Sequence, residues 1–235
     1  MNLIEHIIEP RRLWLVWRPG PSDLRQTRRV VGEITRDGAT SPVRLRYITD
    51  TPDFAAAKAD GFEGYPAFPL KAVEHTSNVL EAFLRRLPPR SREDFGDYLT
   101  RHRLPGAFPN SDMALLGYTG AKLPGDGFEL CLDLSDARPP FEIVFEVAGF
   151  RYQSEIRASD VYVGDPVTFK LDVENPHDPY AVAIFYTGIK IGYISRAYNK
   201  AFCNWVKRGY SISGTVERIN GKPERPLVYI FVVVR

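Results

Sequence analysis

A chain of 235 residues, 44% hydrophobic and 26% charged, is long and apolar enough to bury one large core or two small ones. Its 31 Lys and Arg against 29 Asp and Glu leave a net charge of +2, which excludes binding of polyanions by bulk charge; a nucleic-acid site has to be local. No apolar run reaches bilayer length and the start, Met1-Asn-Leu-Ile-Glu-His-Ile-Ile, has no signal-peptide pattern, while Cys131 and Cys203 read as buried free thiols, so a cytoplasmic protein without membrane contact is expected.

In chain order, Leu13-Trp-Leu-Val-Trp17 predicts a strand, followed by a turn at Pro19-Gly-Pro-Ser22. Arg28 to Ile34 predicts a second strand closed by Arg36-Asp-Gly38, a hairpin signal, and Val43 to Ile48 a third with one wet face. Phe62 to Leu70, rich in Gly and Pro, reads as an ordered loop. Asn78 to Leu87 carries apolar residues at helical spacing behind Ser77 or Asn78 as N-cap, and Pro88-Pro89 stops it. A helix from Arg92 to Leu99 behind Ser91, a short capped helix at Ser111 to Gly117 and a turn at Gly120 to Gly125 complete this half. Asp136-Ala-Arg-Pro-Pro140 reads as a linker, which divides the chain into 1–137 and 138–235.

The second half is more informative. A strand at Pro166 to Val173 leads into Asn175-Pro-His-Asp-Pro-Tyr-Ala-Val182, where two prolines fix φ and extend the residues before them. Strands at Ala181 to Phe185 and Ile189 to Ile194 flank a Thr187-Gly188 turn, and a basic helix is predicted from Ser195 to Arg208. In that helix Phe202, Trp205 and Val206 form the core side, and Lys200, Lys207 and Arg208 fit a solvated face. The last run, Leu227 to Val234, is too apolar for an exposed edge and is expected to be central or covered. On local chemistry the 175–182 stretch reads first as a rigid turn that needs no ligand, with a polar site beside a basic helix as the other reading.

Gly149-Phe-Arg-Tyr152, Asn175-Pro-His-Asp178 with Ala181-Val182, and Ile191-Gly-Tyr-Ile194 with Arg196 occur in one order. This series resembles the HIRAN domain over roughly Phe141 to Val234, which implies a small OB- or SH3-like β-barrel that captures single-stranded DNA at a free 3′ end. The resemblance implies Arg151 and Arg196 on phosphates, Tyr152 as a stacking platform, and Asp178 as acceptor of the 3′-hydroxyl. A carboxylate there also repels a 3′-phosphate. Asn175 either meets a base edge or holds the loop, His177 stacks or packs on Pro179, Tyr193 either contacts the ligand or is a half-buried strand residue, and Lys200 completes the candidate set. Gln153 stands where some members carry a second aromatic.

The first half has its own series: Leu13-Trp-Leu-Val, Val31 to Asp37, Arg44-Leu-Arg-Tyr47, Phe83 to Pro88, Asp112 to Gly117 and Leu123-Pro-Gly125. It resembles the small N-terminal subdomain of HipA-type serine/threonine kinases over about Leu13 to Leu132. That implies an alternative role, an antitoxin-like or regulatory subunit docked on such a kinase.

No catalytic signature accompanies either resemblance. His6, His75, His102 and His177 are widely separated, with no metal-ligand spacing, nucleophile elbow or phosphate loop. The expectation is therefore a non-enzymatic binding protein of α+β class with no metal or cofactor: a small sheet with helices, then a barrel with an inserted helix.

Overall fold

The computed structural model describes residues 2–20, 27–38 and 41–235. They form two compact units. One comprises Ile8–Tyr98 and Ala107–Asp133; the other comprises Leu134–Arg235 together with the residues up to Ile7 and Leu99–Gly106. A cut at 137/138 puts those last two segments on the other side.

The first unit is built on a five-stranded antiparallel sheet, order β6-β3-β2-β1-β7. Its strands are β1 (Arg12–Trp17), β2 (Arg29–Thr35), β3 (Arg44–Tyr47), β6 (Glu74–His75) and β7 (Phe128–Leu132). β3 alternates as expected, with Leu45 and Tyr47 buried and Arg46 exposed. Between β3 and β6 lie α1 (Pro52–Ala59) and a two-stranded ribbon, β4 (Gly64–Tyr65) and β5 (Phe68–Pro69), inside the segment expected to be a loop. The helix α1 carried no strong apolar period, yet its start is well specified. The Thr51 side chain accepts from Phe54 N–H at 3.2 Å and Pro52 enters the first turn.

Helix α2 (Val79–Leu84) is shorter than the periodicity predicts. Arg86 and Leu87 continue it only as tight turns, bonding to the carbonyls of Phe83 and Leu84. Asn78 stands at the N-cap in a left-handed conformation and its side chain makes no cap bond. Helix α3 (Phe95–Arg101) likewise starts after Arg92 and runs past Leu99. α4 (Asp112–Thr119) matches expectation, with Ser111 capping Ala114 N–H at 3.2 Å and Gly120 ending it at φ 72°. Gly117 is needed because a Cβ there would lie 2.5 Å from Leu132 and 2.8 Å from Leu13 side-chain carbons. The expected 19–22 turn reaches residues outside the described set, and so does the far side of the 36–38 hairpin signal.

The second unit is a six-stranded antiparallel sheet, order β11-β10-β9-β12-β13-β8. Its strands are β8 (Phe141–Glu146), β9 (Pro166–Leu171), β10 (Val182–Tyr186), β11 (Ile189–Tyr193), β12 (Ile212–Lys222) and β13 (Arg225–Val234). Helix α5 (Asn199–Lys207) is inserted between β11 and β12. It begins four residues later than expected, because Ser195 to Tyr198 form a turn first. The sheet curls until its two edges meet: Ala148, just past β8, exchanges backbone hydrogen bonds of 2.8 and 2.9 Å with Tyr193 at the end of β11. A barrel-like sheet removes its own edges in this way. β13 is covered on both sides, by β12 and β8, as its apolar run requires, and Val228, Ile230, Val232 and Val234 are fully buried. Phe202 and Trp205 of α5 fill the interior against Phe141, Phe145 and Phe169.

A bulge in β12 between Val216 and Arg218 turns Glu217 into the structure, where it is 3% exposed and accepts from Arg103 and from Asn2. Glu142 is similarly buried and accepts from the backbone N–H groups of Glu5 and His6 and from the His6 ring. These carboxylates tie the 2–6 and 99–106 segments, whose residues supply the partners of two buried charges, to this unit.

Candidate nucleic-acid interface

Asp172 and Ala181 close the mouth of the proline-bounded loop through Asp172 N–H on Ala181 O at 3.0 Å. Within it the Asn175 side-chain oxygen accepts from the N–H groups of His177 and Asp178 at 3.0 and 3.1 Å, and its amide donates to Asp172 at 3.3 Å. Asn175 therefore organises the loop, in the manner of an Asx turn. Asp178 repeats the device: one carboxylate oxygen accepts from Tyr180 N–H at 2.9 Å. The other accepts from the Asn199 amide at 2.5 Å, which ties the loop to the first residue of α5. Each oxygen keeps further acceptor capacity. Arg196 donates to the His177 carbonyl at 3.2 Å, and the His177 ring lies at the surface.

Tyr193 is half-buried with its hydroxyl fully engaged, donating to Asp172 at 2.8 Å and receiving from Lys190 at 3.1 Å. The Tyr193 hydrogen bond is the main cause that holds the Asp172 carboxyl below its ordinary value, with Asn175 and Lys190 adding to it. The separate hydrogen bond from Lys190 to the Tyr193 hydroxyl is the main cause that raises the Lys190 ammonium. Of its two readings, the structure shows Tyr193 as the post between the loop and β11. The residue before it, Gly192, has φ 142°, and a Cβ there would meet the Ala148 carbonyl oxygen at 2.5 Å. Glycine is what allows the edges to close, and closure sets the turn Phe150–Tyr152 beside β11.

In that turn Phe150 is buried while Tyr152 is 64% exposed, with the Arg151 guanidinium 4.5 Å from its ring centre and donating to its hydroxyl. Gln153 folds back onto the Gly149 carbonyl at 3.3 Å and offers no second platform. Lys200 is exposed, its ammonium 5.2 Å from the Tyr180 ring.

The contacts thus connect Asn175, His177, Asp178 and Arg196 directly, Lys200 through Tyr180, and Tyr193 through Asp172, with Arg151 and Tyr152 joined by the Ala148 bridge. Asp172, Tyr180, Lys190 and Asn199 belong to the same assembly and were not anticipated. Only Tyr180 had a sequence signal, its place directly after Pro179; the others become visible once strands pair. Among the described residues no group of His, Cys, Asp or Glu could hold a metal ion, and no helix is long and apolar enough to cross a membrane.

The HIRAN domain family model matches residues 140–235. Among solved structures, the HIRAN domain of human HLTF is similar at 19% identity over 40% of this chain and 74% of that one, with a TM-score of 0.34. A Lactobacillus plantarum protein is similar at 20% identity over 40% of this chain and 99% of that one, with a TM-score of 0.33. No curated protein matches the chain. None of these matches supports the HipA-type resemblance of residues 13–132 or a toxin–antitoxin role. The stretch that matches the HIRAN domain family, residues 140–235, contains the proline-bounded loop, the closing glycine and the Arg-Tyr turn.

Proposed function

We propose that this chain binds DNA without catalysing a reaction, and that its HIRAN domain captures single strands at the 3′-hydroxyl end. The observation that carries this reading is the fixed orientation of Asp178. Tyr180 N–H and the Asn199 amide hold its carboxylate at a loop surface clamped by Arg196. A terminal hydroxyl donates to such a group, whereas a terminal phosphate meets like charge. Tyr152 offers an exposed ring, and stacking contributes about 1–3 kcal/mol per base. Arg151 and Arg196 supply local cations for backbone phosphates, which a net charge of only +2 does not attract in bulk.

The test is fluorescence anisotropy at near-physiological salt with one short strand ending in 3′-hydroxyl or in 3′-phosphate. We expect at least tenfold preference for the hydroxyl, and a loss of that preference in Asp178→Ala. Arg196→Ala and Tyr152→Ala should weaken both strands. Equal affinity for the two ends in the unmodified protein would rule out end reading, and unchanged affinity in all three variants would rule out this site.

A further inference from the structure

The segment Leu99–Gly106 presents a second basic feature on the barrel unit. α3 ends in a turn in which Leu104 N–H donates to Leu99 O and Arg103 N–H to Thr100 O, both at 3.0 Å. The left-handed position of such a turn normally carries glycine; here it is Arg103, at φ 60°. That unfavourable placement directs its guanidinium to buried Glu217. Beside it, Arg218 lies over the Tyr229 ring at 4.2 Å and donates to the Arg101 carbonyl at 2.9 Å. Among the described residues no carboxylate forms an ion pair with Arg218, since neighbouring Glu217 is taken by Arg103. Burial is the main cause that holds the Arg218 guanidinium below its ordinary value. Tyr229 and Glu217 act the other way, and the Arg103 charge adds to the depression.

These side chains line a shallow depression of about 480 Å³ formed by Thr100, Arg101, His102, Arg103, Arg218 and Asn220. Three arginines against one carboxylate leave an excess positive charge in a partly desolvated place. A helix C-terminus normally repels anions, but the Arg101 carbonyl here is already neutralised by Arg218. None of these residues belongs to the 172–181 loop, the Phe150–Tyr152 turn or α5.

We propose that this depression is a phosphate-binding site, in which the forks of Arg218 and Arg101 hold the oxygens of one phosphate group and Asn220 donates from the rim. The phosphate supplies counter-charge beyond the single Glu217 carboxylate that Arg218 shares with Arg103, and planar guanidinium groups fit its oxygens in pairs. It is carried either by a nucleic-acid strand or by a free phosphorylated small molecule.

The test uses the full chain and inorganic phosphate, followed by amide NMR shifts against chloride at equal ionic strength. Saturable shifts at Thr100–Arg103 and Arg218–Asn220 are expected, with affinity at least tenfold weaker in Arg101→Gln and Arg218→Gln. Arg208→Gln, just past the end of α5, and Asp178→Ala should leave phosphate binding unchanged, which separates this site from end capture. A blunt duplex with both 3′ ends phosphorylated is then added. Displacement of phosphate assigns the site to a nucleic-acid strand, and undisturbed phosphate assigns it to a small molecule; both support the site. Shifts no larger than those with chloride, or shifts unaffected by either arginine substitution, would overturn it.

Discussion

Gly192 carries more of this fold than its size suggests. Its φ of 142° lies where L side chains are strained, and its missing Cβ leaves room for the Ala148 carbonyl. Gly192→Ala should therefore lower stability by at least about 2 kcal/mol, measured by urea unfolding, because it combines backbone strain with an overlap against rigid backbone. A loss under about 0.5 kcal/mol would mean that the closing bridge matters little. The same residue illustrates what a sequence can hide. Ile191-Gly-Tyr-Ile was legible as part of a family series, but the reason for its glycine lies across the barrel, at a residue more than forty positions away.

At the scale of elements, the 172–181 loop is held by side chains bonding to backbone, with prolines setting the limits. Asn175→Ala removes the acceptor of two N–H groups and the donor to Asp172, at a cost of about 1–2 kcal/mol felt mainly in the loop. Amide exchange at His177 and Asp178 should accelerate, and 3′-end affinity should fall about tenfold, while far-UV circular dichroism is unchanged. Retained affinity together with faster exchange would show that the loop's order is irrelevant to binding. Element legibility followed the strength of local signals. β9, β10, β11 and β13 were predicted from alternation and apolar runs. β8 and β12 were not; in β12 a bulge breaks the register and places the buried Glu217 in the strand, and β8 carries the buried Glu142 between apolar residues. α1 has little apolar periodicity, and α5 loses its first expected turn because Ser195 to Tyr198 carry the chain from β11 back toward the loop.

At the scale of the whole molecule, segments distant in sequence complete the HIRAN-bearing unit. Burial pushes the Glu142 carboxyl up, but the hydrogen bonds from His6 and Glu5 outweigh it and hold the carboxyl below its ordinary value. Such a group stabilises the fold above the usual carboxylate range, and that contribution is lost as pH falls through the lowered folded-state value. A fragment of residues 138–235 keeps Glu142 and Glu217 but not their partners. Leaving a buried charge unpaired costs about 3–5 kcal/mol, so its Tm at neutral pH should lie at least about 10 °C below that of the matching transition in the full chain. The gap should narrow as pH falls through the lowered folded-state value of Glu142 and the carboxyl loses its charge. Equal melting at neutral pH would show that the 2–6 and 99–106 segments contribute nothing to the unit.

The sequence by itself determined the class of the fold, most of the strands around the two sheets' centres, the capped helix α4, the buried place of the last strand and the resemblance that the HIRAN family match over residues 140–235 bears out. Alternation, apolar runs, caps and proline geometry act over a few residues and can be read in order. Only the tertiary structure decided that Asn175 organises the loop, that Tyr180 N–H and the Asn199 amide fix the Asp178 carboxylate, that Tyr193 braces Asp172, and that Arg101 and Arg218 share one depression. Those relations depend on barrel closure and on pairing between distant segments, and no local pattern records which far residue will supply the partner of a buried charge.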